Sequence, residues 1–511
     1  MMSIIKKKGT CYIKKNILAL AILLTVNSIY AQDDEDQNAS SEISEISEIY
    51  IAKCAGCHGK DGDGEGPGAN ILDPKPRNFM TWMFKYKSTP VDYPPLDEDI
   101  EQIIKNGLPG TAMPGFEKTL NRMQIQELAQ YLKRFSLFEI EELDSLPVVE
   151  IIQPNQKPDV ERGLDLYKKF DCAKCHGEKG RGDGPSFSEL EDDWENKILP
   201  RNFTKSWTYR RGSTLDGIYI TLKLGIPGTP MPSFVETLEQ EGMESSNVEF
   251  DLWSLAAYVK SMQEDENLGT TIKAKFTEVI SIDPDDNIWK NIKPVRFPLF
   301  GQVIIPPRHF TPSVEDLLLK AINNGREIAI LIQWDDPTET NDSLPDKLVI
   351  QMPVELKGRK RPFFFMGDKN NPVNMWVFDN GEIYDGYANG AGTLVKQSNN
   401  HLSGFWKYKN GRYTVIFKRD LNTGDENDIA LELKKFTTAS FIVWNGQQGE
   451  TGLKCAVSQW FYLVLEEEAS MKIWYIPAIV VLITFLIELQ IIKRVPKENI
   501  KQGEENPTLN S

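Results

Sequence analysis

The chain has little sulfur to cross-link and few imidazoles: six cysteines and four histidines in 511 residues. Four of the cysteines sit in two short strings, Cys11 lies near the start and Cys455 stands alone, so no disulfide framework is available. Positive charge is also in deficit. A formal net charge of −16 argues against nucleic acid or anionic lipid as a general partner, although a basic protein face is still compatible with it. Beyond about residue 270 there is no Gly-rich phosphate loop, no clustered His/Asp/Glu metal site and no nucleophile elbow. What the chain does have is length enough for about three domains.

Its two ends differ. Lys6, Lys7, Lys8, Lys14 and Lys15 precede an apolar core from Ile17 to Val26, and small residues Ser28 and Ala31 follow. That pattern predicts a signal peptide over 1–31 with cleavage before Gln32. Residues 32–48 are acidic and serine-rich and read as a solvated linker. At the other end, 473–492 is apolar for long enough to cross a bilayer, interrupted only by Pro477 and Glu488. Lys493, Arg494 and Lys497 follow it and Glu466, Glu467 and Glu468 precede it. The positive-inside bias puts the tail 493–511 in the cytoplasm and the rest outside it, in a periplasm or equivalent lumen.

Between these ends the chain repeats itself. "CAGCHGKDGDGEGPGA" from Cys54 is answered by "CAKCHGEKGRGDGPSF" from Cys172, "KPRNF" by "LPRNF", and "GLPGTAMPGF" by "GIPGTPMPSF". Apolar-periodic helices, "IQELAQYLKRF" and "DLWSLAAYVKSM", close the two units, which we bound at 49–140 and 155–265. A proline-bearing connection separates them, and duplication is the plain explanation.

C-x-x-C-H lets two thiolates add to the vinyl groups of a haem while the adjacent histidine reaches the iron. Cys54 and Cys57 are therefore expected as thioethers with His58 as proximal ligand, and Cys172, Cys175 and His176 repeat the arrangement. A zinc or redox cysteine pair is the alternative, and a histidine after both pairs in an exported chain weighs against it. Only His309 and His401 lie outside the motifs, far downstream, so the sixth ligand should be sulfur. Met113 and Met231 stand in matching Gly/Pro-rich loops, each 55 residues after its histidine. Met80, Met83, Met123, Met243 and Met262 compete but none is duplicated in register. Both units resemble class I cytochrome c domains, small and all-α, in which His/Met ligation suits electron transfer. Arg77 and Arg201, in the repeated "PRNF", could pair with a haem propionate or simply be surface arginines in a structural loop.

From about Thr270 the texture changes to short β-branched and aromatic runs, "REIAILIQW", "DKLVIQMPV", "RYTVIFKRDL" and "FTTASFIVW". An Asn410-Gly411 pair between two of them signals a type I′ hairpin. An antiparallel β-sandwich over 270–470 is expected, giving a multidomain α + β chain with one C-terminal membrane helix. "SIDPDDNIWKNI", "LIQWDDPTETND", "RPFFFMGDKNNPVNMWVF" and "GLKCAVSQWFYL" resemble the haem-binding domain of ethylbenzene dehydrogenase gamma subunits, which serve molybdenum enzymes of the dimethyl sulfoxide reductase family. The resemblance implies a non-covalent haem b held by a methionine in an "MGD" string, here Met366, and a lysine before an S-x-W string, here Lys454. Met352 and Met375 are stand-ins for the methionine. Cys455, His309 and His401 are rival ligands, and lysine binds iron only as a desolvated neutral amine.

The resemblance further implies a membrane-anchored electron-transfer subunit, not an enzyme itself. It would pass electrons between the iron–sulfur and molybdopterin subunits of such a complex, of which nitrite oxidoreductase is one kind, and a soluble cytochrome or terminal oxidase. Two rivals stand beside it: a haem enzyme such as a nitrite or peroxide reductase, and a dihaem cytochrome whose β-sandwich is a haem-free interaction module.

Overall fold

The computed structural model describes residues 45–137, 147–240, 245–341, 343–355, 361–468 and 472–494. The expected signal peptide, most of the acidic linker, Cys11, Met243 and the tail after Arg494 lie outside the described residues.

The first unit opens with a helix over 45–53, α1, so the stretch expected as linker up to residue 48 is already helical from residue 45. The reason is local. Ile46 and Tyr50, four residues apart, present one apolar side that is 4% and 0% exposed, hidden in a serine- and glutamate-rich sequence. The short α2 (Ala55–His58) carries the first C-x-x-C-H, followed by α3 (Asp97–Asn106) and α4 (Arg122–Leu132). Asn121 caps α4, accepting from Gln124 N–H while the Gln124 side chain answers the Asn121 N–H. Ile46, Tyr50, Phe79, Ile100, Ile104, Ile125, Leu128 and Leu132 form one core.

The second unit repeats this with α5 (Val160–Lys169), α6 (Ala173–His176), α7 (Leu215–Leu224), α8 (Phe234–Gln240) and α9 (Ser245–Ser261). Its core joins Leu166, Tyr167, Ile218, Tyr219, Leu252 and Trp253, with Tyr219 stacked on Trp253 at 4.2 Å. The connection between the units is held down: Trp253 Nε1 donates to the Ile152 carbonyl at 2.7 Å, and Val149 N–H to that of Ser88 at 2.8 Å.

The third unit is β-rich. Its first strands are β1 (Thr271–Phe276), β2 (Val295–Pro298), β3 (Phe300–Gly301), β4 (Asp316–Asn323), β5 (Glu327–Asp335), β6 (Lys347–Pro353) and β7 (Val373–Asp379), with a short helix α10 (Asn287–Lys290) after β1. They continue with β8 (Glu382–Ala388), β9 (Val395–Lys396), β10 (Ser403–Tyr408), β11 (Arg412–Asp420), β12 (Phe436–Trp444), β13 (Ala456–Val457) and β14 (Phe461–Leu465). The main path runs β10-β11-β5-β4-β1-β14-β12-β6-β7-β8-β9. It folds over at β12, whose first half pairs with β14 and second half with β6, so one strand serves both layers. Ile330, Ile332 and Trp334 from one layer meet Leu348, Ile350 and Trp376 from the other in a single core.

Asn410 and Gly411 both have positive φ, 50° and 66°, as the β10–β11 turn requires. The pairing is antiparallel except at β1, which runs parallel to both β14 and β4. β1 reaches the sheet from the second helical unit, and its side neighbours arrive much later in the chain, so strand patterning carries no trace of that direction. The last helix, α11 (Lys472–Arg494), is the one helix among the described residues long and apolar enough to cross a membrane.

Candidate haem sites

In each helical unit the C-x-x-C-H string forms a single helical turn. The Cys54 carbonyl accepts from Cys57 N–H at 3.1 Å and His58 N–H at 2.9 Å, and that of Cys172 from Cys175 and His176 at 3.3 and 2.9 Å. Gly59 and Gly177, both at φ 79°, end the turn, a left-handed geometry that a side chain would resist. Tyr50 and Tyr167 fix those ends by donating to the Gly59 and Gly177 carbonyls, each at 2.7 Å.

The repeated "PRNF" then proves to be the support for the histidine. His58 Nδ1 lies 2.9 Å from the Arg77 carbonyl and His176 Nδ1 lies 3.0 Å from that of Arg201. A carbonyl only accepts, so each Nδ1 carries the proton and each Nε2 keeps its lone pair for a metal. Phe79 stacks on His58 at 4.5 Å and Phe203 on His176 at 4.2 Å. Asn78 and Asn202 close the loop by accepting from Met80 N–H and Thr204 N–H. Burial, with the nearby Arg77 charge added, lowers the His58 pKa against the opposing carbonyl bond; burial and Arg201 do the same to His176, down to about 4. Both imidazoles are neutral, as a ligand must be.

The methionine loops are built alike. Leu108 N–H donates to the Met113 carbonyl at 3.1 Å and Ile226 N–H to that of Met231 at 3.0 Å, while Thr111 and Thr229 hydroxyls accept from the two methionine N–H groups. Gly107 at φ 71° is tightly placed: a Cβ there would lie 2.6 Å from the Met113 carbonyl oxygen. Met113, Cys54 and His58 line one cavity with Phe79, Ile104, Phe116, Leu128 and Leu132. Two sulfurs, one imidazole and an otherwise apolar wall fit a porphyrin. Met231, like Cys172 and Ala173, packs partly buried against the second core. Of the competing methionines, Met83 and Met123 point to solvent, 40% and 65% exposed.

In the β-sandwich, Met366 is 4% exposed and belongs to an apolar cluster with Phe365, Val373, Met375, Tyr384, Trp444 and Cys455. Its backbone, at φ 59°, is held by Gln351, whose side-chain amide oxygen Oε1 accepts from Met366 N–H at 2.9 Å, and its sulfur accepts from Gly392 N–H at 3.2 Å. Met352 lies elsewhere, between the two layers. Lys454 sits between Leu453 and Cys455, both part of the Met366 cluster, but is itself exposed, so protein side chains alone do not supply the shielding a ligating amine needs. Cys455 is buried, and burial pushes its thiol well above the usual range, so without a metal it stays protonated. The His309 ring is engaged by Glu450 at 3.1 Å, and the His401 ring lies 3.9 Å from Asp425.

Arg77 and Arg201 both lie where the two helical units meet. Arg77 covers the Trp194 ring of the second unit at 4.3 Å, and Arg201 approaches Gly110 of the first. Sequence reasoning missed their neighbours Tyr86, Trp194, Arg210 and Arg211. Only the duplication itself, by setting Tyr86 and Arg210 at the same distance from "PRNF", offered a signal.

The similarities to known proteins fall on the same three regions. Residues 41–132 match the family described as cytochrome c oxidase, cbb3-type, subunit III, and residues 160–263 match cytochrome c. The helical units are thus cytochrome c domains, a class built to hold covalent haem. Residues 286–404 match the ethylbenzene dehydrogenase family, so the chain is two cytochrome c domains followed by a domain of that family. A putative respiratory nitrate reductase heme subunit of Haloferax mediterranei is 29% identical over 185 residues, 35% of this chain. The chain spans 66% of the length of that curated relative. Among solved structures, a chain of a reducing HAO-like protein complex from Kuenenia stuttgartiensis is 35% identical over 43% of this chain and 96% of its own, with a TM-score of 0.39. A family 9 carbohydrate-binding module from Caldicellulosiruptor kristjanssonii, in complex with cellotriose, is 10% identical over 39% and 96%, with a TM-score of 0.26. At those TM-scores neither structure bears on the reading of this one.

Proposed function

We propose that the chain is a membrane-anchored multihaem electron-transfer subunit. Its cytochrome c domains hold two covalent haems through Cys54, Cys57, Cys172 and Cys175, with His58 and Met113 on one iron and His176 and Met231 on the other. The β-sandwich holds a haem b between Met366 and Lys454, and α11 anchors the chain with its folded part outside the cytoplasm. Electrons pass between an iron–sulfur partner of a molybdoenzyme, nitrite oxidoreductase among the candidates, and a soluble cytochrome or terminal oxidase.

The single observation that carries this reading is the duplicated pairing of a neutral, carbonyl-anchored histidine with a methionine loop, which puts Met113 and His58 on one apolar cavity. An iron held on both faces conducts electrons and offers substrate no open position. The domain match to ethylbenzene dehydrogenase and the nitrate reductase heme subunit relative support a molybdoenzyme as the partner.

The test is purification of the full chain in detergent from its native membrane. Molybdopterin and iron–sulfur subunits are expected to co-purify, and carbon monoxide is expected to leave the reduced haem spectrum unchanged. Carbon monoxide binding at the native iron sites would favour the haem-enzyme reading instead.

A further inference from the structure

The two cytochrome domains meet at matching distances from their "PRNF" strings. Tyr86 and Arg210 each stand nine residues after the arginine of their own "PRNF", and they touch: the Arg210 guanidinium donates to the Tyr86 hydroxyl at 3.1 Å. The methionine loops of both domains flank this contact. Gly110, in the methionine loop of the first domain, abuts Arg201 and Thr208 of the second. Gly228, its counterpart, abuts Trp194, on which Arg77 of the first domain lies. The seam therefore joins the stretch after "PRNF" and the methionine loop of each domain.

This seam concentrates positive charge. Arg77, Arg201, Arg210, Arg211 and Lys85 gather in it, and Arg210 acts electrostatically on both Arg77 and Arg201. One carboxylate is within ion-pair distance, Asp192, and it is spent: Oδ2 holds Lys85 at 2.9 Å, and Oδ1 accepts from Trp194 N–H, Asn196 N–H and the Asn196 amide. Nε of Arg210 and Nε of Arg211 are buried with no hydrogen-bond partner. Among the described residues no hydrogen bond or ion pair engages the Arg77 or Arg201 guanidinium. Asp73, Asp99 and Glu315 act only at longer range. All five side chains are half-buried, and the Arg211 guanidinium donates to the Lys87 carbonyl at 2.7 Å, but among the described residues none of them apart from Lys85 has a carboxylate partner, and partly desolvated like charges without a counter-charge are costly unless an anion completes them. Arg77 and Arg201 themselves supply the two carbonyls that hold the histidines, so both lie beside the haem sites.

We infer that the seam is a shared carboxylate site in which propionates of both c haems are bound together, with Arg210 and Arg211 serving the first domain's haem as well as the second's. The inference rests on the reading that both C-x-x-C-H strings carry haem. It makes the two haems electrostatically coupled through residues of one domain.

The experiment is a potentiometric titration of the two c haems in the purified holoprotein, comparing the parent with Arg210→Gln, Arg210→Lys and the surface control Lys197→Gln. Loss of the Arg210 charge destabilises bound carboxylate and favours ferric iron. Both c-haem potentials should therefore fall in Arg210→Gln, fall less in Arg210→Lys, and stay in Lys197→Gln. A fall confined to one haem, or equal falls with the exposed control, overturns the shared site. If Arg210→Gln fails to incorporate both haems, Arg211→Gln is read by the same criteria. Added inorganic phosphate at constant ionic strength should leave the parent potentials unmoved; a phosphate-dependent shift would mean that a free anion, and not propionate, fills the seam. Haem staining counts both covalent haems independently, so loss of the haem assignment and failure of the seam are told apart.

Discussion

Asp335 fastens the second cytochrome domain to the β-sandwich. It ends β5 with its side chain 8% exposed, and its carboxylate holds Arg412 at 2.6 Å, Arg181 at 3.4 Å and the Asn202 amide at 2.8 Å. Arg181 and Asn202 belong to the haem loops of the cytochrome domain, Arg412 to β11, and Arg412 reaches on to Glu264 at 2.9 Å. Burial alone would raise the carboxyl, but Arg412, Lys205 and Arg181 overcome it and hold the pKa down at about 2, against 3.8 ordinarily. A depression of this size corresponds to roughly 2 kcal/mol of stability. Because the folded value is the lower one, that contribution is complete above about pH 4 and is lost as pH falls through about 2. Asp335→Ala leaves Arg181 and Arg412 buried with less than their full complement of charge, and breaking such a pair costs about 3–5 kcal/mol. At about 2–4 °C per kcal/mol for a domain of this size, the thermal midpoint should drop by about 10 °C. Thermal unfolding of the full chain in detergent at pH 7, followed by far-UV circular dichroism, measures it. Asp335→Asn should fall between the two, with a shallower acid limb. A midpoint in Asp335→Ala within about 2 °C of the parent would refute the network as a fastening.

Met113→Ala should open one iron, so that the reduced protein binds carbon monoxide at one c haem, whereas Met123→Ala should leave the spectrum unchanged; the difference spectrum decides. Gly107→Ala forces a Cβ to 2.6 Å from the Met113 carbonyl oxygen at a positive φ, and should cost about 1–3 kcal/mol in denaturant unfolding, against nearly nothing at Gly392→Ala's open surroundings beyond its own φ strain. Tyr167→Phe removes one hydrogen bond to the Gly177 carbonyl and should cost about 1 kcal/mol by the same assay, without changing the haem count.

The helical half was legible because its chemistry is written in short, duplicated strings. "IQELAQYLKRF" and "DLWSLAAYVKSM" fall in α4 and α9, and the four β-rich runs fall in β5, β6, β11 and β12. Three things were not legible, each because it depends on partners distant in sequence. Helix α1 is held by Ile46 and Tyr50 against residues beyond position 100, beneath an acidic, linker-like composition. The parallel direction of β1 is set by β14, which arrives nearly two hundred residues later. The seam between the cytochrome domains pairs Tyr86 with Arg210, a pairing that neither repeat shows within itself and that appears only when the two domains come together. At Lys454 the family resemblance leads one to expect a shielded amine, and the protein leaves it exposed.

The most direct measurement is therefore a haem count. Haem in the purified full chain is quantified before and after acid–acetone extraction, for the parent and for Met366→Ala and Lys454→Ala. Two haems per chain should stay bound through their thioethers and one should be extracted, with the extractable haem lost or spectrally altered in both variants. A parent that releases no haem, or variants indistinguishable from it, would contradict a third carrier in the β-sandwich.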